Sequence, residues 1–158
     1  MHNTIRIAAG IAIIASLSNA GGAQEEVWVG VWKLSHDKSP KAPNRPKSQI
    51  ITMKSENGQA LFDEENVLAS SDSYRVSWRL GFDGKDYPVS GSRAGIDLIQ
   101  GQRLGPDTVE IKVKKKDGTV LGTYWVTHSA DGKTRITLQW GGQNISGPPA
   151  RVTVHERQ

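Results

Sequence analysis

The chain has 158 residues, with 20 Lys and Arg against 16 Asp and Glu, a formal net charge of +4, and no Cys. The missing Cys excludes a disulfide framework, a thiolate nucleophile and thiolate metal ligation. A few excess positive charges favour encounter with anionic molecules, but they are not the footprint of specific nucleic-acid binding.

The first residues have the three-part layout of a secretory signal peptide. "MHNTIR" carries one Arg, "IAAGIAIIASL" is an apolar run of eleven, and "SNAGGAQ" supplies small residues suited to cleavage after Ala20 or Ala23. The apolar run is too short to span a bilayer. Residues 1–23 are therefore read as a signal peptide and 24–158 as one domain, exported to the periplasm or the exterior. Cleavage after Ala23 removes Arg6 and no acid, taking the formal charge to +3 and leaving 135 residues. A domain of this size buries roughly two thirds of the surface its unfolded chain exposes, so it can hold a core without cross-links. No later run has the length of a spanning helix and no lipidation Cys follows the signal, so the mature chain is expected not to span a membrane and to be a monomer.

Four dipeptides punctuate the mature chain: Asn57-Gly58, Asp83-Gly84, Asp117-Gly118 and Asp131-Gly132. Each suits a two-residue hairpin turn, whose central residues need positive φ. Reading outward from them predicts about ten strands, near 27–34, 48–55, 59–64, 73–82, 85–89, 95–102, 107–116, 119–128, 133–140 and 150–156. Several alternate with period 2. Tyr74, Val76, Trp78, Leu80 and Phe82 share one face; Val109, Ile111 and Val113 alternate with Glu110, Lys112 and Lys114; Ile136, Leu138 and Trp140 alternate with Arg135, Thr137 and Gln139. "KSPKAPNRPK" (38–47) predicts an extended Pro-rich connection, and "GGQNISGPP" (141–149) a flexible lead into the last strand. No mature segment carries a capped helical stripe. Successive hairpins without helices predict an all-β fold, an antiparallel meander of about 8–10 strands closed into a barrel, which removes exposed edges. A β-sandwich is the alternative.

Gly30-x-Trp32 on the first strand, the meander, and a last strand ending "VTVHERQ" together resemble the calycin superfamily of lipocalins and fatty-acid-binding proteins. More closely, "GVWKLSHDKSPKAPNRPKSQ", "DGKDYPVSG" and "DGKTRITLQWGG" resemble a group of small exported bacterial proteins with no established activity. The lipocalin resemblance implies that Trp32 plugs one end of the barrel, with Arg157 or Arg151 packed over its indole in a structural role. In fatty-acid-binding proteins the last strand carries an Arg-x-Tyr pair that holds a carboxylate. Thr153 and His155 stand at those positions here, so that clamp is missing in its usual form. The Pro-rich 35–47 segment likewise departs from the helix pair that lids those proteins.

The candidate ligand residues follow from the strand faces. Trp28, Trp32 and Leu34 share a face of the first strand, and Trp78, Tyr124 or Trp125, and Trp140 could join them around a cavity or in an ordinary core. On the last strand Arg151, Thr153, His155 and Arg157 lie opposite Val152 and Val154. Burying two Arg without acidic partners is costly, so valines inward and polar residues toward water is the expected arrangement. The reverse arrangement would make Trp78, Trp140, Arg151, Thr153 and His155 a ligand site. The run Lys112 to Lys116 reads as a solvated edge, or else as a docking patch for an anionic surface. His36, His128 and His155 have no metal-ligand spacing, and Asp63, Glu64 and Glu65 lack that of a calcium loop, so neither metal nor cofactor is expected. Nor is there a nucleophile elbow, a phosphate loop or a dinucleotide fingerprint, and no catalytic residue is assigned. The expectation is an exported, non-enzymatic barrel holding a small hydrophobic or anionic amphipathic ligand. Its alternative is a filled-core barrel acting as an envelope-associated interaction or structural protein.

Overall fold

Period-2 alternation broken by turn residues should give strands and little else, and that is what the chain forms. A computed structural model describes residues 26–43, 45–90 and 95–158. The expected signal segment, 1–23, lies outside the described residues. Ten strands follow in order: β1 (Gly30–Leu34), β2 (Ser48–Glu56), β3 (Gln59–Val67), β4 (Ser73–Leu80), β5 (Asp83–Pro88), β6 (Leu98–Arg103), β7 (Thr108–Lys114), β8 (Val120–His128), β9 (Thr134–Gly141) and β10 (Arg151–Arg157). No helix occurs among the described residues.

The strands form one antiparallel sheet in the order β4-β3-β2-β1-β10-β9-β8-β7-β6-β5. Each strand pairs with its sequence neighbour except at two places. There, β1 pairs with β10, and β4 meets β5 only through an isolated bridge between Ser77 and Ser90. The meander is therefore a nearly closed barrel with a seam between β4 and β5, and not a sandwich.

Turn chemistry explains most of the pairing. Asn57 and Gly58 both have positive φ (51° and 75°), as a two-residue turn between β2 and β3 requires. At Asp117-Gly118 and Asp131-Gly132 the glycine alone has positive φ, and longer connections than the expected two-residue turns join β7 to β8 and β8 to β9. Asp83-Gly84 forms no hairpin at all. Gly84 does have positive φ (77°), but it lies inside β5, where the register against β6 shifts between Asp83 and Asp86. The dipeptide makes a bulge on a seam strand, with Asp83 Oδ1 accepting the Lys85 N–H at 3.1 Å.

One end of the barrel is dry. Trp32 is 0% exposed and its Nε1 donates to the Trp28 carbonyl at 3.0 Å. Arg157, the register partner of Trp32 on β10, lies over the indole at 5.7 Å and donates to the Val29 carbonyl at 2.5 Å. A guanidinium over an indole contributes roughly 0.5–2 kcal/mol. Met53, Ala60, Leu80 and Val109 complete this apolar floor. Gly30 has φ +142°, and a Cβ there would stand 2.9 Å from Arg157 Nε. The Gly-x-Trp step thus needs its Gly for backbone conformation and to admit the Arg157 side chain.

Gly30→Ala is accordingly expected to lower stability by about 1–3 kcal/mol, through backbone strain and displacement of Arg157. Gly147→Ala, at a position with open space around it, should change stability by no more than about 0.5 kcal/mol. Urea-unfolding midpoints of the two variants check this; equal losses would remove the special role of Gly30.

Candidate functional site

Beyond the floor the barrel encloses a cavity of about 530 Å³, within the roughly 300–1,000 Å³ of small-molecule sites. Pro46 from the β1–β2 connection, Leu68 to Ser70 from the β3–β4 turn, and Ile96 before β6 line it, which places its mouth at the end away from Gly30. Its walls differ in character. Ile51, Phe62, Val76, Trp78, Ile111 and Val126 form an apolar side, while β9 and β10 contribute Arg135, Thr137, Gln139, Arg151, Thr153 and His155.

The polar wall reverses the expected arrangement of the last strand. Arg151, Thr153 and His155 line the cavity, and Val152 and Val154 take the other face. The valines are still covered, fully for Val154. The residues after β1 cross there, and the Ser39 hydroxyl accepts the Val154 N–H at 2.9 Å. On β9 the alternation is reversed in the same way: Arg135, Thr137 and Gln139 face inward while Ile136 is 40% exposed. Trp140 does not line the cavity. It lies outside β9, edge-to-face with Trp125 at 5.4 Å, and its Nε1 donates to the Gly147 carbonyl at 2.8 Å beneath the β9–β10 connection. Of the five Trp, Trp78 alone is among the lining residues. Trp32 and Arg157 belong to the floor.

Strand register groups the polar residues. His155 is opposite Arg135 across β10 and β9, and Arg135 is opposite His128 across β9 and β8. His128 in turn stacks against Trp32, ring centres 5.1 Å apart. On the other side, Gln49 Nε2 donates to Glu64 Oε1 at 2.7 Å, and Asn66 Nδ2 donates to the same oxygen at 2.7 Å. Gln49 Oε1 must then accept from His155 Nε2, 2.8 Å away. This fixes the neutral imidazole with its proton on Nε2 and a bare Nδ1. Glu64, Gln49 and His155 thus form one directed chain around the cavity wall, with Asn66 as a second anchor of the carboxylate.

Arg135 is the least compensated group. It is 5% exposed, donates no hydrogen bond to another described residue and pairs with no described carboxylate. Burial lowers its pKa to about 10, partly countered by the charge of Glu64, so it stays cationic at neutral pH. Burial and the nearby Arg135 charge hold His155 neutral, with a pKa near 3. The same two causes lower His128 to about 4. Arg151, half-buried nearer the mouth, also forms no ion pair among the described residues.

Several charges in the other clusters are paired within the chain. The outer groove at the seam, about 420 Å³, contains Lys54, Asp63 and Arg79. There Asp63 is bound to Arg75, and Arg79 meets Glu56 at 2.7 Å. Lys112 pairs with Glu110 and Lys114 with Asp86, each at 2.8 Å. Lys38 pairs with Glu156 at 2.7 Å, and Arg45 donates to the carbonyls of His36 and Ser39. No group of three or more potential metal ligands occurs among the described residues.

Sequence reasoning names Trp78, Trp140, Arg151, Thr153 and His155 as candidate ligand residues; all but Trp140 line the cavity, and Arg135, Glu64, Gln49 and Asn66, which also line it, are missed. A signal was present. Glu64 and Asn66 share the face of Phe62 by strict alternation, so an inward Phe62 carries both inward. Comparison with protein-family models and with curated proteins finds no match to this chain.

Two stability measurements follow. Arg135→Met should stabilise the ligand-free protein by about 1–3 kcal/mol, since it removes a desolvated charge with no paired carboxylate; a loss of stability in urea unfolding would show that the charge is already compensated. For the two buried imidazoles, the unfolded chain binds protons near pH 6.5 while the folded protein resists until about pH 4 at His128 and pH 3 at His155. Their contribution is therefore complete above pH 6.5 and lost as pH falls, with each imidazole approaching a slope of about 1.4 kcal/mol per pH unit. Replacing both by Gln should flatten the stability–pH curve between pH 6 and 4.5, a window read directly from denaturation midpoints.

Proposed function

We propose that this protein is an exported, non-enzymatic binding protein that holds a small anionic amphipathic molecule inside a calycin-like barrel. The observation that carries the reading is Arg135: a cationic guanidinium, almost fully buried, that lines a cavity of about 530 Å³ and forms no ion pair with a described carboxylate. An uncompensated charge in such a place costs free energy, and an incoming anion offsets that cost. The apolar side, with Phe62, Trp78, Ile111 and Val126, suits the body of the ligand. Thr153, His155 and Arg151 join Arg135 on the polar side. The calycin likeness is supported by the ten-stranded meander with its Gly30-x-Trp32 and Arg157 floor. The anion contact differs from an Arg-x-Tyr clamp on the last strand, because its Arg stands on the neighbouring strand opposite His155.

The alternative of a filled barrel docking through basic segments has less support. The cavity is open, and Lys38, Arg45, Lys112 and Lys114 are engaged within the chain.

Decanoate and decylamine, matched in body and opposite in charge, test the proposal. Calorimetric titration at pH 7 should give at least tenfold tighter binding of decanoate, and Arg135→Met should remove that preference. Native mass spectrometry of protein purified without denaturation should show a co-purifying acid. Equal measurable binding of the two probes, or tighter binding of decylamine, would sink the reading.

A further inference from the structure

Besides Arg135 and Arg151, the cavity contains one charge of the opposite sign that forms no ion pair among the described residues. Glu64 lines the same space as Arg135, on the far side of the barrel: β3 and β9 are separated in the sheet by β2, β1 and β10. One of its oxygens accepts the two amide donors of Gln49 and Asn66, which are neutral. No described Lys or Arg forms an ion pair with it, and it forms none with Arg135. The barrel thus holds a carboxylate and a guanidinium on the walls of one cavity, near enough for the Glu64 charge to act on Arg135 but not joined in an ion pair.

Holding them apart is built into the hydrogen bonds. Gln49 and Asn66 draw the Glu64 carboxylate to its own wall, and His155 fixes Gln49 by donating to its Oε1. Asn66 and His155 are 2% and 1% exposed, so this support is rigidly enclosed. A simple anion would satisfy Arg135 and leave Glu64 without a cation, close to a second negative charge. A simple cation would do the reverse. One molecule carrying both charges meets both walls.

We infer that the ligand is zwitterionic: an amino acid or similar amino-carboxylate with a bulky apolar body. Its carboxylate lies against Arg135 and its ammonium against the Glu64 oxygen not used by the amides. Its body lies along Phe62, Trp78, Ile111 and Val126. Gln49 and His155 are positioning residues that act through Glu64. Arg151, at the mouth, keeps its access to water. This inference rests on the reading above that a ligand carboxylate meets Arg135, and adds to that ligand a second, positive charge.

Two matched series test it by calorimetry at pH 7. One comprises L-phenylalanine, 3-phenylpropanoate and 2-phenylethylamine; the other comprises 2-aminodecanoate, decanoate and decylamine. The amino acid is expected to bind at least tenfold more tightly than its own des-amino acid in at least one series, with the amine weakest. Glu64→Gln, which retains an acceptor for both amides, should remove the advantage of the amino acid and leave the affinity of the simple acid unchanged or higher. If the simple acids bind as well as or better than the amino acids in both series, the zwitterion is overturned while anion binding stands. If no acid of either kind binds, both fail. Should Glu64→Gln not fold, the comparison on the unaltered chain already decides.

Discussion

The barrel depends on the pairing of its first and last strands. Only three residue pairs join β1 to β10, yet they bring together segments more than 110 residues apart in the chain. Loop closure over that length is entropically unfavourable, and it must be offset where the strands meet. Trp32 and Arg157 are opposite each other at that junction, and the guanidinium both covers the indole and bonds to the Val29 carbonyl. Gly30 keeps the space clear. Beyond the end of β1, Ser35 and Ser39 continue the contact by bonding to the Val154 backbone, so β10 is not left bare where its partner stops.

This closure divides the interior into two chemical regions. Near Trp32 the side chains are apolar and packed, and the stabilisation expected of a domain this size can come from there. Toward the mouth the barrel keeps groups that a purely structural core would avoid: a buried guanidinium in no ion pair with a described residue, a carboxylate held by neutral amides, and an imidazole held neutral. Each lowers stability relative to well-packed apolar residues of the same volume. The dry end makes that tolerable. His128 marks the boundary, its ring against Trp32 and its strand register opposite Arg135.

The fold was largely legible because it rests on local patterns. Reading outward from turn dipeptides, with alternation in several segments, located all ten strands to within a few residues, and Asn57-Gly58 placed the β2–β3 turn. Asp83-Gly84 shows the limit of local reasoning. The backbone conformation demanded by that dipeptide is present, but a hairpin and a bulge both use it, and only the pairing partner distinguishes them. β5 pairs with β6, so the positive φ bends a strand at the seam instead of reversing the chain. The Gly30-x-Trp32 step was legible for a different reason. Its likeness to the calycin floor supplied two distant candidates, Arg157 and Arg151, that no local pattern could, and Arg157 is the one over the indole.

The site was harder to read because ligand cavities invert the rule used to find strand faces. Alternation identifies an apolar face and a polar face, and the inward one is inferred from the cost of burying charge. On β9 and β10 that inference points the wrong way: Arg135, Thr137, Arg151, Thr153 and His155 face the interior, and Trp140 and Val154 are buried on the outside beneath crossing segments. With cover on both faces, hydrophobicity no longer distinguishes inside from outside. Register does. Trp32 faces inward and its partner Arg157 covers it, so alternation back along β10 carries His155, Thr153 and Arg151 inward, and the β10–β9 pairs then carry Arg135 and Thr137 with them. A single anchored pair at the floor therefore orients the whole polar wall, and the structural role of Trp32 is what makes the placement of the charged groups above it intelligible.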